Sequence, residues 1–243
     1  MMKGKKEVFT MIIAGLTGYG VDLTQTANLI YTILNSHNKK VSVLDYKNLK
    51  DVKTLKSYIQ EIRKNCSDFL IIKIDYSKNL EHELLKYIQF DIILHNNGTD
   101  PVCEWNIYDY NEIIEKLLPF LSIKGTVILN GDFLIEPLYI RDPELLVITY
   151  GFNSRAELTT SSVSDTLFGR EFIFYQQKSI RTIDGRYICP QEYRINTDKT
   201  NVDVYTILGS VAFSLIGGIH LKFGVPLTTV YSNTGLSEFY SSI

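Results

Sequence analysis

This chain lacks an excess of charge of either sign, long apolar runs and paired cysteines. Its 25 lysines and arginines nearly balance 27 aspartates and glutamates, leaving a formal charge of −2. That balance gives no electrostatic basis for binding nucleic acid or an anionic membrane surface. The aromatic residues are scattered, without the basic interleaving that nucleic-acid recognition needs. No stretch approaches the roughly 20 apolar residues that span a bilayer. The first apolar run is too short for the core of a secretion signal followed by a small-residue cleavage site. The 3 cysteines, Cys66, Cys103 and Cys189, are odd in number and far apart. That spacing disfavours a disulfide framework or a zinc site and fits a reducing compartment. The expectation is a cytoplasmic protein with no metal, no nucleic acid and no membrane partner.

What is present reads as a globular α/β chain. Hydrophobic residues make up 45% of the 243 positions and charged residues 21%, enough to build a substantial core. Short apolar runs at Val8–Ala14, Val41–Asp45, Phe69–Ile74, Asp91–His95 and Thr126–Leu129 alternate with helical patterns. Leu23, Ala27, Ile30 and Leu34 share one helical face, as do Val52, Leu55, Ile59 and Ile62. Further helices are expected at Leu80–Tyr87 and from about Tyr110 to Leu121. This rhythm implies a doubly wound, mostly parallel sheet of P-loop-like type over about 8–150. Strands at Leu145–Tyr150, Glu157–Ser161 and Glu171–Tyr175 then follow without intervening helices. A hairpin is expected around Asp184-Gly185, and a closing helix over Val202–Ile216 ends at Gly217-Gly218. The β-rich extension and closing helix occupy about 151–220, and the whole chain reads as a single domain over 1–243. From Pro226 to Ile243 the pattern is weak, with room for one short helix.

The first strand leads into Gly15-Leu16-Thr17-Gly18-Tyr19-Gly20-Val21-Asp22-Leu23-Thr24. A strand, a glycine-rich turn and a helix start in that order cradle phosphates, because free N–H groups and the helix dipole converge on an anion. A working Walker-type loop ends in lysine and Ser/Thr; this one ends in Val21-Asp22-Leu23. Three readings compete. A dinucleotide fingerprint would use Gly18, Gly20 and Asp45, the acid that ends the second strand, but its third glycine position is Leu23. A mononucleotide site is opposed by Asp22, since an aspartate about 4 Å from a phosphate loses about as much as a lysine gains there, about 4 kcal/mol at an effective dielectric of 20. The third reading is a turn kept for packing the helix against the sheet, and on the loop alone it is narrowly favoured.

Other candidates are thin. His82 lies between two glutamates on a charged surface helix, and His37 and His220 stand in loop or helix-end positions. His95 ends a strand at the sheet's C-terminal edge, where ligands bind in open α/β sheets. With Asn96, Asn97 and Asp100 it is either pocket lining or loop capping, the latter favoured. Cys103-Glu104-Trp105 holds the only tryptophan, read as a loop anchor. No Gly-x-Ser-x-Gly elbow is present.

Several later segments resemble the Mur ligases, the ATP-dependent ligases of peptidoglycan precursor synthesis related to folylpolyglutamate synthase. They are Phe90-Asp91-Ile92-Ile93-Leu94-His95-Asn96-Asn97, Gly125-Thr126-Val127-Ile128-Leu129-Asn130-Gly131-Asp132 and Val147-Ile148-Thr149-Tyr150-Gly151-Phe152. The hairpin at Asp184, the Pro190-Gln191-Glu192 step and the helix from Asn201 follow in family order. The likeness runs from about Val8 to Leu227 and implies the ATP-binding central domain of that family. Against the family loop G-x-T-G-T-N-G-K-T-T, Gly15, Thr17, Gly18 and Thr24 match. The lysine falls at Asp22 and the next threonine at Leu23. The resemblance places the family's Mg²⁺-binding glutamate near Lys73, its metal-binding histidine near Val102, its carbamylated lysine near Ile114 and its late asparagine near Val204. Asn97, Asn130 and Asp132 match, at positions peripheral to phosphoryl transfer.

The resemblance therefore implies a degenerate Mur-ligase-like domain, without the substrate domains that flank it in the family. The expected role is that of a pseudoenzyme in a bacterial cell. It would be a non-catalytic interaction or regulatory module acting through a protein partner or as a homo-oligomer, tied to peptidoglycan precursor synthesis by analogy. No catalytic residue and no cofactor are expected. Gly15, Thr17, Gly18, Gly20, Asp22 and Asn130 are read as a vestigial nucleotide site. An ATP-dependent amide ligase or nucleotide-binding subunit completed by a partner chain, with ATP and Mg²⁺, is the alternative; a dinucleotide-binding protein is the second. Asp22 and Lys73 are expected to pair across the former phosphate–metal site, with N–O within about 4 Å.

Overall fold

A computed structural model describes residues 11–19, 23–75, 84–97, 112, 114–134, 144–166, 169–197, 202–221 and 225–227. Six apolar strands build the parallel half of the sheet. They are β1 (Ile12–Tyr19), β2 (Val41–Asp45), β3 (Phe69–Asp75), β4 (Phe90–Asn97), β5 (Leu121–Asn130) and β6 (Leu146–Tyr150). They lie in the order β2-β3-β1-β4-β5-β6, all neighbours parallel. The antiparallel extension continues the same sheet through β7 (Leu158–Thr166), β8 (Gly169–Gln176) and β11 (Gln191–Thr197). The edge strand β12 (Val225–Leu227) pairs parallel to β11. A separate two-stranded hairpin, β9 (Ile180–Arg181) with β10 (Tyr187–Ile188), turns at Asp184-Gly185 as the sequence suggests.

Helices cover both faces, as fully apolar parallel strands require. Helix α1 (Leu23–Ser36) buries Leu23, Ala27, Ile30 and Leu34, the stripe read from its periodicity, together with Leu29 and Ile33. It shares one face of the sheet with α3 (Val204–Ile216), and both contribute to a single core cluster. Helix α2 (Val52–Lys64), capped by the Asp51 carboxylate on the Thr54 amide, lies on the other face over Leu70, Ile72 and Ile74. Residues 206–216 of α3 are all buried, because the helix is enclosed by α1, the sheet and the β9–β10 hairpin and has no solvent face. Close approach is possible because residue 209 is glycine: a Cβ there would stand 3.3 Å from Leu94 and Tyr150.

Several boundaries depart from the sequence expectation, among them the start of β5, at Leu121 rather than Thr126, and the end of β7, at Thr166 rather than Ser161. β1 does not end at Ala14 but runs on to Tyr19, so Gly15 and Gly18, taken as part of a turn, are strand. β4 continues past His95 to Asn97. Between Leu80 and Tyr87 the described residues form only a 3-10 turn, Leu85–Tyr87. Val225–Leu227 is a short strand; the rest of the weakly patterned stretch, 228–243, lies outside the described residues.

Candidate functional site

The chain leaves β1 toward β2 and β3 on one side, whereas β4 to β6 lie on the other. The topological switch point is therefore between β1 and β4, where open α/β sheets place their ligands at the C-terminal strand ends. Gly18 pairs there with Asn96, and Tyr19 with Asn97. Lys73 of β3 and Asn130 of β5 flank these positions.

The vestigial site residues divide into two groups. Gly15, Thr17 and Gly18 sit inside β1, paired with both β3 and β4. A central strand commits its backbone groups to both neighbours, so these N–H groups serve the ladder. Residue 15 is glycine for a packing reason, since a Cβ there would approach the Phe90 ring at 3.3 Å. Gly20 and Asp22 lie outside the described residues and are the part of the loop that joins β1 to α1.

Thr17 and His95 meet on neighbouring strands, with the hydroxyl 2.7 Å from Nδ1 and both residues at 0% exposure. Burial lowers the imidazole pKa to about 3, so the ring is neutral at any physiological pH. His95 is thus neither pocket lining nor loop capping. β4 carries it two residues inside the sheet, where it satisfies a buried threonine.

Asn96 is the hub beneath the switch point. Its Oδ1 accepts from the Tyr150 hydroxyl at 2.8 Å, and its Nδ2 donates to Thr26 at 3.1 Å and Thr206 at 3.3 Å. One buried amide therefore ties β4 to β6, α1 and α3. No sequence spacing announces this, since the partners are 54 to 110 residues away.

Lys73 carries the charge at the site. Its Nζ lies 3.4 Å from the Asp45 carboxylate and 3.2 Å from the Thr24 hydroxyl in the first turn of α1. Both charged side chains are only 12–13% exposed. The expected partner, Asp22, is outside the described residues; the acid that holds Lys73 is Asp45. This answers the dinucleotide reading as well. That fingerprint needs the second strand beside the first, but β3 intervenes, which sets Asp45 about 10 Å from β1 at normal strand spacing. Asp45 is further engaged by the Lys47 amide at 3.2 Å and the Lys47 ammonium at 3.2 Å.

On the β5–β6 side, Asn130 Oδ1 accepts from the Asp132 amide at 3.0 Å, closing the turn after β5. Asp132 accepts from the Phe152 amide (2.6 Å), the Asn153 amide (3.0 Å), Asn153 Nδ2 (2.7 Å) and the Tyr205 hydroxyl (3.0 Å). Burial, reinforced by the Asp132 carboxylate, raises the Tyr205 phenol above its usual range, which keeps it a donor. Of the other positions singled out by the family pattern, Ile114 is fully buried in the α2-side core and Val204 opens α3 against the opposite core. Val102, Asp100, His82, Cys103 and Trp105 lie outside the described residues. Among the described residues, no group of three or more His, Cys, Asp or Glu is placed to hold a metal ion, and no helix is long and apolar enough to cross a membrane.

No family model matches the chain, and no curated protein matches its sequence. Solved structures do match. A UDP-N-acetylmuramoyl-L-alanyl-D-glutamate–2,6-diaminopimelate ligase aligns with a TM-score of 0.63 at 16% identity, over 86% of this chain and 44% of that one. The UDP-N-acetylmuramoylalanyl-D-glutamyl-2,6-diaminopimelate–D-alanyl-D-alanyl ligase of Acinetobacter baumannii gives 0.59 at 14% identity, over 87% and 44%. The MurF ligase of Thermotoga maritima, solved with ADP, gives 0.56 at 11% identity, over 88% and 47%. The chain therefore has the fold of the Mur ligase central domain, as the sequence resemblance implied, and spans less than half the length of these three ligases.

Proposed function

We propose that this protein is a non-catalytic Mur-ligase-like module, a pseudoenzyme that acts by binding a protein partner or a second copy of itself. Its link to peptidoglycan precursor synthesis rests on the activities named for the ligases it resembles and is an analogy of fold. The observation that carries the reading is the Lys73 ammonium, held between Asp45 and Thr24 where the resemblance calls for a Mg²⁺-binding carboxylate. A cation about 4 Å from an ammonium group is opposed by about 4 kcal/mol per unit charge at an effective dielectric of 20. Asp45 offsets part of this, but it is already shared between Lys73 and Lys47. Asp22 and Leu23, in place of the loop lysine and threonine, support the same conclusion from sequence. No cofactor is required by this reading.

Thermal-shift measurement with ATP–Mg²⁺, ADP, NAD and UDP-sugars tests it, because any ligand far above its Kd stabilises the folded state by several degrees. The expected result is no shift with any of them. Stabilisation by ATP–Mg²⁺ at micromolar concentration would overturn the proposal. It would favour an ATP-dependent ligase subunit completed by a partner chain, a reading that the matching Gly18 and Thr24 leave standing.

A further inference from the structure

We propose that the open edge of β7 pairs, antiparallel and about a two-fold axis, with β7 of a second copy of this chain. The proposal deepens the binding role given above and rests on it. β6 and β7 meet at a single register position, Tyr150 with Leu158, and from there β7 runs on past the end of β6. On its other side β7 is paired with β8 as far as Thr166, and β8 is in turn covered by β11. Residues 159–166 therefore form the outer strand of a projecting antiparallel arm. Among the described residues no strand pairs with them on the open side, and Ser161 to Thr166 are all exposed. Alternate residues of such an edge turn their N–H and C=O groups outward, and another strand is what satisfies them.

The two edges that part at Leu158 are treated differently. On β6 the Thr149 amide donates to Glu157 Oε2 at 2.8 Å, and Lys178 holds Oε1 at 2.8 Å, so a side chain closes that edge. The β7 run Ser161-Ser162-Val163-Ser164-Asp165-Thr166 contains no lysine and no proline, the residues that discourage edge pairing. Its one irregularity, the register shift between Thr160 and Ser162, lies at the base of the arm. The Thr160 and Ser161 hydroxyls pin it there by donating to the Ile173 carbonyl at 3.0 and 3.2 Å. From Ser162 to Thr166 the pairing with β8 is unbroken.

The run complements itself about Val163, which is why the partner is a second copy. A two-fold interface must match its own surface. An axis at Val163 sets the run's only apolar side chain, 42% exposed, against its own copy, with Ser162 opposite Ser164 and Ser161 opposite Asp165. The single charge of the run, Asp165, is held by Arg170 Nε at 2.8 Å on β8. In this register its two copies stand roughly 13 Å apart along the strands, beyond the screening length at physiological salt. An axis at Ser164 would bring the two carboxylates to diagonal positions about 7–8 Å apart. Charge therefore selects Val163 as the centre.

Sedimentation velocity of the full chain, from micromolar to millimolar concentration, is expected to show a monomer–dimer equilibrium, since so small a contact makes a weak interface. Val163→Lys sets like charges opposite each other at the axis and is expected to raise the dimer dissociation constant at least about tenfold. Under mild oxidation Val163→Cys is expected to give a disulfide-linked dimer that the wild type, with its exposed Cys66 and Cys189, does not. Ser164→Cys is expected not to, because its copies would lie diagonally, too far apart to bridge. A wild type that stays monomeric throughout would overturn the proposal and leave the edge to a strand of another protein. A dimer that Val163→Lys does not weaken, or equal cross-linking at positions 163 and 164, would overturn it too. Stabilisation by ATP–Mg²⁺ in the thermal-shift assay would instead sink the non-catalytic reading, a failure distinct from that of the strand pairing.

Discussion

Lys73 and Asp45 face each other in register on neighbouring strands β3 and β2, with Nζ 3.4 Å from Oδ2 and both side chains largely withdrawn from water. Removing one partner of a buried pair strands the other, and this is costlier than the pair itself is stabilising. Lys73→Met is therefore expected to cost about 1–2 kcal/mol, since Lys47 still reaches Asp45. Lys73→Glu, which opposes two carboxylates, is expected to cost about 2–4 kcal/mol. Urea titration of the two variants checks both the order and the size. A Lys73→Glu variant as stable as the wild type would show that the pair does not hold the strands together.

The burial of His95 beside Thr17 makes stability depend on pH. A base whose pKa is lower in the folded state binds fewer protons folded than unfolded. Its contribution is complete above the unfolded value of 6.5 and is lost as pH falls toward the folded value of about 3. The slope attributable to His95 is about 1.4 kcal/mol per pH unit in that window. The difference in urea midpoint between wild type and His95→Gln, followed from pH 7.5 to 4.5, is expected to shrink as pH falls. Parallel curves would contradict the buried, neutral imidazole.

Asn96 holds Tyr150, Thr26 and Thr206 with one side chain. Asn96→Leu leaves three buried hydroxyls without that partner, and unmade buried hydrogen bonds are costly. A loss of about 3 kcal/mol or more is expected, measured by chemical denaturation. Tyr150→Phe, which removes only one spoke, is expected to cost about 1 kcal/mol.

Gly151 adopts φ +155°, and a Cβ at this position would stand 2.7 Å from both carboxylate oxygens of Asp132. Gly151→Ala must therefore displace the acceptor of four hydrogen bonds that join β5, β6 and α3. A cost of about 2–3 kcal/mol is expected. Tyr205→Phe, which removes one of the four donors, should cost about 1 kcal/mol. Comparing the two melting temperatures tests whether the carboxylate, rather than the edge-on packing of Phe152 against the Tyr205 ring at 5.2 Å between centroids, organises this corner.

Much of the fold was legible because apolar periodicity reports burial directly. The α1 and α2 stripes, the apolar β3 and β4, and the Asp184-Gly185 turn could all be read from residue spacing. The end of β1 could not. Gly15 and Gly18 suggested a turn, yet a Cβ at residue 15 would crowd Phe90, and the strand stays buried on both faces through Leu16 and Thr17. Strand order was equally hidden. Asp45 looked like a ribose acid because its position along the chain is right, but β3 inserts beside β1 and takes Asp45 as the partner of Lys73. Asn96 and Asp132 act through residues tens of positions away, so only the folded chain brings their contacts together.

Titration calorimetry with ATP and Mg²⁺ is the most direct test of the central claim, performed on the wild-type chain and on Lys73→Glu. The account predicts no binding heat from the wild type up to millimolar nucleotide, because the resemblance puts Lys73 near the place of a metal ligand and the loop sequence carries Asp22 in place of the phosphate-binding lysine. Magnesium-dependent binding of ATP to the wild type with a micromolar Kd would contradict it.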